Sequence, residues 1–255
     1  MSFNDTVVIV TGASSGIGAA AAIKFAKEGA NVVIVARNKE KLIGVAEKCA
    51  AIGNKPLVVV ADLTNDAGLK ETIDTTLSHF GKLNVLVNNA GKCAFVDIVS
   101  ENVMEKFDDI MAINLRAAVC LTSLSVPHLK KCGGNIVNIS SVGAHAVLFP
   151  ANFAYCTSKA ALDHFTRAVA LDLAAHGVRV NSISPGPVKS DFIDTFVLDK
   201  TKHDDVWDAM AKRTALGKLI DPEEIADMIL YLASDKATSI TGSSFVVDGG
   251  MLLKG

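Results

Sequence analysis

The sequence predicts a single α/β domain, residues 1–255, in which about seven parallel strands form a doubly wound sheet with helices on both faces. Three observations support this prediction. Short apolar runs recur along the chain, they alternate with segments rich in Ala, Leu, Lys and Glu, and no linker or repeat divides the 255 residues. Half of the residues are hydrophobic, which is enough for one well-buried core.

The predicted strands are continuous apolar runs, as expected for parallel strands that helices cover on both sides. They lie at residues 6–11, 31–36, 56–61, 83–88, 135–140, 179–183 and 244–247. The clearest helical segments are residues 18–28, 39–51 and 154–175. Residues 190–218 interrupt this alternation of strands and helices with a polar, charged insertion. Such an insertion predicts a lid or substrate loop, and a plain surface excursion is the alternative.

Composition excludes several classes of protein. A formal net charge of −2 gives no electrostatic basis for binding nucleic acid or an acidic membrane. The five cysteines contain no C-x-x-C pair, and the six histidines show no metal-ligand spacing, so we expect reduced thiols and no metal. No signal sequence is evident, and no apolar stretch approaches the roughly 20 residues that span a bilayer, so we expect a cytoplasmic protein.

A glycine-rich turn follows the first predicted strand. Its residues are Gly12, Ser14, Ser15, Gly16, Ile17 and Gly18, with the spacing G-x-x-x-G-x-G. A strand, a glycine turn and a helix in this order let backbone N–H groups and the positive end of the helix dipole bind a pyrophosphate. The spacing differs from G-x-G-x-x-G, but its position predicts a Rossmann-type dinucleotide site.

Residues after the next strands predict the remainder of that site. Arg37 follows the second strand, where an acidic residue would otherwise bind a ribose 2′-hydroxyl. A guanidinium suits a 2′-phosphate, so we expect NADP(H) rather than NAD(H). Asp62 and Leu63 follow the third strand, and Asn89, Ala90 and Gly91 follow the fourth. Their position at the carboxyl edge of the sheet favours cofactor contacts over simple turn formation.

Tyr155 and Lys159 are the candidate catalytic residues. They are four residues apart on a predicted helix and therefore share a face. A nearby ammonium lowers the pKa of a tyrosine, which can then exchange a proton with a carbonyl oxygen. Such a pair is common on helices for reasons of packing alone. Ser140 and Ser141, which end the preceding strand, and Asn114, in the middle of an earlier helix, strengthen the catalytic interpretation.

These motifs together resemble the short-chain dehydrogenase/reductase family, from the first strand to the end of the chain. The matching residues are Thr11 and Gly12 through Gly18, Asn88 to Gly91, Asn114, Ser141, Tyr155, Lys159, Pro185, Gly186 and Val247 to Gly250. The resemblance implies that Ser141 positions the substrate oxygen, Tyr155 is the acid or base, Lys159 lowers its pKa and Asn114 supports a proton relay.

The resemblance also implies further contacts and an assembly. Pro185, Gly186 and Val188 would flank the nicotinamide, and Ser190 would reach its carboxamide or the phosphates. A homotetramer is expected, with one interface at residues 104–131 and the helix from Ala154, and another at residues 222–233 and the last strand. Ser141 and Tyr155 are one residue further apart than is usual in the family, so Ser140 remains an alternative to Ser141.

The expected reaction interconverts a lipophilic ketone or aldehyde, such as a steroid or isoprenoid, and its alcohol. Apolar residues around the polar site favour such a substrate. The candidate substrate contacts, besides Ser141, are His145, Phe149, Phe153, Phe192 and Phe196. Two alternatives stay open: a β-ketoacyl carrier-protein reductase, and a catalytically inactive dinucleotide-binding scaffold.

Overall fold

One parallel sheet of seven strands forms the centre of the protein, in the spatial order β3-β2-β1-β4-β5-β6-β7. The computed structural model describes residues 1–254. The strands are β1 (Val7–Thr11), β2 (Asn31–Ala36), β3 (Leu57–Val60), β4 (Val85–Asn88), β5 (Asn135–Ile139), β6 (Arg179–Pro185) and β7 (Ser244–Val247). The predicted fold class is confirmed, and each predicted strand contains or overlaps one of these.

Helices connect the strands and cover both faces of the sheet. They are α1 (Gly16–Lys27), α2 (Lys39–Ala50), α3 (Asp66–Phe80), α4 (Val103–Met111), α5 (Ala117–Leu129), α6 (Phe153–Ala174), α7 (His203–Arg213), α8 (Pro222–Ala233) and α9 (Met251–Lys254). A π-helical turn, Ala112–Arg116, joins α4 to α5.

Alternating side chains of each strand enter two separate cores. In β1, Val8 and Val10 pack with α1, α2 and α8 on one face of the sheet. Val7 and Ile9 pack with α3, α5 and α6 on the other face. Because both faces are buried, the four positions Val7 to Val10 are all apolar, which explains the continuous runs in the sequence.

The strand order places a cleft at the carboxyl edge of the sheet. From β1 the chain builds outward to β3, and it then returns to place β4 on the other side of β1. The loops after β1 and β4 therefore diverge, which opens a crevice between them. The glycine turn follows β1 and residues 89–91 follow β4, so both line this crevice.

The helical stretch Val103–Leu129 corrects one expectation from the sequence. With 27 residues, it is long and apolar enough by length and composition to cross a membrane. The expectation that no stretch approaches this length was wrong. Within the domain, α5 packs against α3, and α4 and the π-helical turn pack against α6. Because 39% of its most apolar part is buried, packing inside the domain accounts for part of the apolar character of the stretch.

The insertion at residues 190–218 forms short helical pieces beside the cleft. Asp191–Thr195 and Lys200–Lys202 are 3₁₀ turns, and α7 follows them directly. Asp191, Phe192 and Thr195 line the cleft. The first turn of the insertion is therefore placed where a substrate loop would act, and its role as a lid stays a prediction.

Candidate active site

A cleft of about 700 Å³ lies at the carboxyl edge of the sheet. Most of the predicted site residues line it: Gly12, Ser14, Ser15, Gly16, Ile17, Arg37, Asp62, Leu63, Asn89, Ala90, Gly91, Ser141, Tyr155, Lys159, Pro185, Gly186, Val188, Ser190 and Phe192. The predicted residues outside its lining are Gly18, Asn114, His145, Phe149, Phe153 and Phe196. Residues that are distant in sequence thus meet in one cavity because their strands end at one edge.

The glycine turn is held closely against the loop after β4. A Cβ atom on Gly18 would lie 2.5 Å from the Asn89 Nδ2 atom and 2.5 Å from the Gly12 carbonyl oxygen. The Asn89 amide donates hydrogen bonds to the carbonyls of Thr11 (2.8 Å) and Gly12 (3.2 Å). Gly12 itself has a φ of +65°, which favours glycine. The absence of a side chain at Gly18 therefore permits this close packing, which fixes the shape of the glycine-rich turn.

The turn fits a pyrophosphate, and it also approaches the first turn of the insertion. A Cβ atom on Gly16 would lie 2.8 Å from the Cβ of Ser190. The start of α1 lines the cleft at Gly16 and Ile17, its N-cap makes no side-chain hydrogen bond, and its first turn has no acidic residue. Space and charge at the turn are therefore suited to the diphosphate of a dinucleotide.

The far end of the cleft carries Arg37 and Asp62. Arg37 is exposed after β2 and forms no salt bridge to any residue from 1 to 254. The Asp62 carboxylate accepts hydrogen bonds from the backbone N–H and the hydroxyl of Thr64, which lower its pKa, and the charge of Arg37 acts in the same direction. A guanidinium is thus available to an anionic group at this end of the cleft.

Tyr155 and Lys159 lie on one face of α6 at the other end. The Lys159 Nζ atom lies 5.8 Å from the centre of the Tyr155 ring and donates a hydrogen bond of 2.8 Å to the Ile139 carbonyl. This bond anchors the ammonium at the end of β5, beside the phenol. A Cβ on Gly91 would lie 3.5 Å from the same Nζ atom. The tighter neighbour of that Cβ is the Asn114 Oδ1 atom at 3.0 Å, so the glycine mainly leaves room for the Asn114 amide.

Burial dominates the electrostatics of this pair. It raises the pKa of the Tyr155 phenol above its ordinary value, and a hydrogen bond with Ser141 acts in the opposite direction. It lowers the pKa of Lys159 to about 8. The sequence predicted that the ammonium would lower the pKa of Tyr155, but desolvation of the phenol is the larger effect here. The phenol is consequently protonated at neutral pH.

The two serines after β5 have different partners. The Ser140 hydroxyl donates to the Lys159 carbonyl at 3.2 Å and so is used within the scaffold. The Ser141 hydroxyl accepts a hydrogen bond from the Gly143 N–H at 3.1 Å, and it lies near enough to Tyr155 to act on the pKa of the phenol. Both serines line the cleft, and the geometry favours Ser141 as the one that faces a substrate oxygen.

Asn114 is buried in the π-helical turn between α4 and α5, outside the lining of the cleft. Its amide donates to the Lys92 carbonyl (2.9 Å) and to the Ser158 hydroxyl (3.0 Å), and its carbonyl accepts from the Lys92 N–H (2.8 Å). These bonds join the loop after β4 to α6. The wider turn directs the amide inward, and such π-bulges recur at functional sites. The sequence marked Asn114 as a mid-helix polar residue but gave no sign of the π turn.

Four aromatic side chains form a continuous wall beside Tyr155. Centroid distances are 6.1 Å from Tyr155 to Phe192, 6.1 Å from Phe192 to Phe196, 5.7 Å from Phe196 to Phe95 and 6.2 Å from Phe95 to Phe149. Phe95 is 43% exposed and was missed in the sequence analysis. Its position a few residues after β4, at the carboxyl edge of the sheet, was the signal that could have identified it.

Two candidate substrate contacts point elsewhere. Phe153 stacks on Phe107 at 6.3 Å and packs in a small core with Ile110. The His145 Nε2 atom lies 3.2 Å from the Ser184 hydroxyl and 3.5 Å from the Asp163 carboxylate. Neither side chain lines the cleft, so any part they play in substrate binding would be indirect.

Known proteins share this fold and much of this sequence. A family profile described as enoyl-(acyl carrier protein) reductase matches residues 12–252. The A-factor type gamma-butyrolactone 1'-reductase of Streptomyces virginiae is 36% identical over 98% of this chain and 96% of its own length. The 3-oxoacyl-acyl-carrier-protein reductase of Thermotoga maritima is 33% identical over 99% of this chain and 100% of its own.

A solved structure agrees closely as well. It is a short-chain dehydrogenase/reductase of unknown function from Caenorhabditis elegans, crystallised with cofactor, and it is 38% identical to this chain. The TM-score is 0.93, and the match covers 98% of this chain and 96% of the other. The family profile and these relatives define an oxidoreductase with a nicotinamide dinucleotide cofactor. The chain belongs to the short-chain dehydrogenase/reductase family.

Replacement of Gly18 by Ala should weaken dinucleotide binding by at least about tenfold, because the added Cβ displaces Asn89 from the turn. Titration of intrinsic fluorescence with NADPH measures the affinity. Gly44→Ala is the matched control, since Gly44 also lies in a helix but a Cβ there meets nothing within 4 Å. Equal affinity in the two variants would contradict this account of the turn.

Proposed function

We propose that the protein is an NADP(H)-dependent reductase that converts a lipophilic ketone or aldehyde to its alcohol. The observation that carries the proposal is the buried, protonated Tyr155 phenol beside Lys159 in a cleft suited to a dinucleotide. A protonated phenol is the form that donates a proton to a carbonyl oxygen, as reduction requires.

The chain's own residues account for the proton and the geometry. A bound nicotinamide supplies the hydride that reaches the carbonyl carbon. The Ser141 and Tyr155 hydroxyls would hold the carbonyl oxygen, and the Tyr155 proton would move to that oxygen as negative charge develops on it. The Lys159 ammonium, anchored on the Ile139 carbonyl, would stabilise the phenolate that remains. Asn114 would hold α6 and the loop after β4 in a fixed relative position through its hydrogen bonds to Ser158 and Lys92.

The preference for NADP(H) rests on Arg37. Its guanidinium lines the cleft beside Asp62, where the adenosine would bind, and forms no salt bridge within residues 1–254. No acidic residue stands at the end of β2 to bind a 2′-hydroxyl or repel a phosphate. A planar cation with several donors suits the 2′-phosphate.

The aromatic wall supports a lipophilic substrate. Phe192, Phe196, Phe95 and Phe149 extend an apolar surface from the Tyr155 ring, which favours an apolar or flat group next to the carbonyl. An acyl chain on a carrier protein is the second candidate, and the family profile and the Thermotoga relative favour it. Carrier docking needs a basic surface; the exposed Lys130 and Lys131 would contribute to one, but Leu171 and Asp172 on α6 are not basic. Comparison of kcat/KM for free aromatic ketones and carrier-bound ketoacyl chains separates the two.

Replacement of Tyr155 by Phe should lower kcat for ketone reduction by at least about 100-fold, because it removes the proton donor. Affinity for NADPH should change less than about threefold, since the ring and Lys159 remain. Tyr231→Phe, at the one other tyrosine, is the control and should keep full activity. Retained turnover in Tyr155→Phe would reject the acid–base role, and NADPH binding without turnover in the wild type would favour a scaffold.

Replacement of Arg37 by Asp should reverse the cofactor preference, with the ratio of kcat/KM for NADPH over NADH falling by about 100-fold or more. Lys39→Asp carries the same change of charge two residues away, but Lys39 does not line the cleft. Steady-state rates with both cofactors measure the effect. If the preference stayed constant in Arg37→Asp, or fell equally in both variants, the 2′-phosphate assignment would be wrong.

We also propose a cytoplasmic homotetramer. Exposed apolar side chains support the proposed interfaces: Met104 at the start of α4, Tyr231 on α8 and Val246 on the edge strand β7. An unpaired edge strand with apolar residues is typical of surfaces that pair with another chain.

Light scattering during gel filtration should give a mass four times the 26.7 kDa of one chain. Val246→Lys should reduce it to half, because the charge would disrupt the interface at β7. Val147→Lys, on an exposed loop, is the control. A monomeric mass for the wild-type protein would reject the assembly.

A further inference from the structure

We infer that Asp163 is a positioning residue for catalysis: its buried carboxylate is the fixed counter-charge that keeps the Lys159 side chain a cation inside the protein. The role in catalysis rests on the proposed function, whereas the role of Asp163 as a counter-charge to Lys159 does not. Tyr155, Lys159 and Asp163 follow one another at intervals of four residues along α6. They therefore lie on one side of the helix, in the order phenol, ammonium, carboxylate.

The Asp163 carboxylate is built into the protein rather than placed at its surface. Its side chain is only 4% exposed. Oδ1 accepts a hydrogen bond from the Ser182 hydroxyl at 2.8 Å, and Oδ2 accepts one from the Ser244 hydroxyl at 3.2 Å. These donors come from β6 and β7, so two strands hold the carboxylate in place. A buried charge is retained only where partners compensate its loss of water.

The other groups that face Lys159 are not suited to be its counter-charge. The Cys93 thiol is buried, which raises its pKa to about 12, so it is neutral at pH 7. Burial also raises the pKa of Tyr155, and the phenol is neutral as well. The Ile139 carbonyl accepts from Nζ but carries no net charge. Asp163 forms no direct salt bridge with Lys159 within residues 1–254, but it carries the buried carboxylate one turn further along the same face of α6. Its charge acts across that distance and opposes the lowering of the Lys159 pKa that burial causes.

His145 is the titratable group that faces Asp163 from the opposite side. It caps the 3₁₀ turn Val142–Ala144 after β5, and its side chain is 36% exposed. Its Nε2 atom lies 3.5 Å from Asp163 Oδ2 and 3.2 Å from the Ser184 hydroxyl. His145 thus lies between the buried carboxylate and solvent. This candidate substrate residue is therefore next to Asp163 rather than in the lining of the cleft.

The direct test follows the ionisation of Lys159 by NMR in protein labelled with ¹³C at the lysine ε carbons, with the resonance assigned by its loss in Lys159→Arg. Asp163→Asn keeps the shape of the side chain and removes its charge. The Lys159 titration midpoint should fall by about one pH unit or more. Asp172→Asn, at an exposed position on the same helix, should leave it unchanged. The fall in the Lys159 midpoint should persist when Asp163→Asn is combined with His145→Gln, because the fall comes from the loss of the Asp163 charge.

The pH dependence of turnover supplies the second readout. In Asp163→Asn the alkaline limb of kcat/KM for reduction should move to lower pH, because the ammonium is lost earlier, whereas loss of packing alone would lower the rate at every pH. Asp163→Glu, which restores the charge, should return the limb towards the wild-type position. An unchanged Lys159 midpoint in folded Asp163→Asn would overturn the inference.

The test remains decisive if Asp163→Asn does not fold and if the protein reduces no ketone. If Asp163→Asn does not fold, the wild-type titration decides, since a Lys159 midpoint below pH 7 would show that no counter-charge maintains the cation. The NMR titration requires no substrate. A chain that reduces no ketone yet shows the shift would reject the proposed function and leave the role of Asp163 intact.

Discussion

The burial of the Lys159 ammonium beneath the cleft is the constraint on which the site depends. A lysine in this position loses its water, and the structure compensates with the Ile139 carbonyl at 2.8 Å and the charge of Asp163. This arrangement fixes the distance from Nζ to the Tyr155 ring. It also explains why Gly91 has no side chain, since a Cβ there would meet Asn114 and approach Nζ. The polar end of the cleft is thus organised around one buried cation.

The parallel sheet supplies the precision of this arrangement. Each functional segment begins where a strand ends, and the register between neighbouring strands sets how far apart the segments lie. Asn138 of β5, for example, accepts a hydrogen bond from Asn88 of β4 at 2.9 Å and donates one to Thr166 of α6 at 2.8 Å. These buried amides tie the strand carrying Ser141 to the helix carrying Tyr155. Polar networks of this kind specify one arrangement of the core when their donors are satisfied.

The fold and most of the dinucleotide cleft could be predicted from sequence because their signals are local. Apolar runs of five residues, a glycine turn after the first of them and polar residues after the fourth are visible without any knowledge of contacts. The serine that faces Tyr155, the inward direction of His145 and the stacking of Phe153 on Phe107 depend on tertiary packing instead. The pKa of Tyr155 is a further example, because desolvation depends on everything that surrounds the phenol and outweighs the hydrogen bond with Ser141. Only part of the aromatic wall could be predicted from sequence, because Phe95 packs against Phe196, which lies 101 residues later.

The central claim is that the Tyr155 hydroxyl and the reacting end of a dinucleotide share one cleft. A crystal structure of the protein with NADP⁺ and an unreactive ketone analogue tests it most directly. The account predicts the phenol oxygen within hydrogen-bond distance of the ketone oxygen, the nicotinamide against the ketone carbon and the 2′-phosphate beside Arg37. A dinucleotide bound elsewhere, or a ketone whose oxygen lies far from Tyr155, would contradict it.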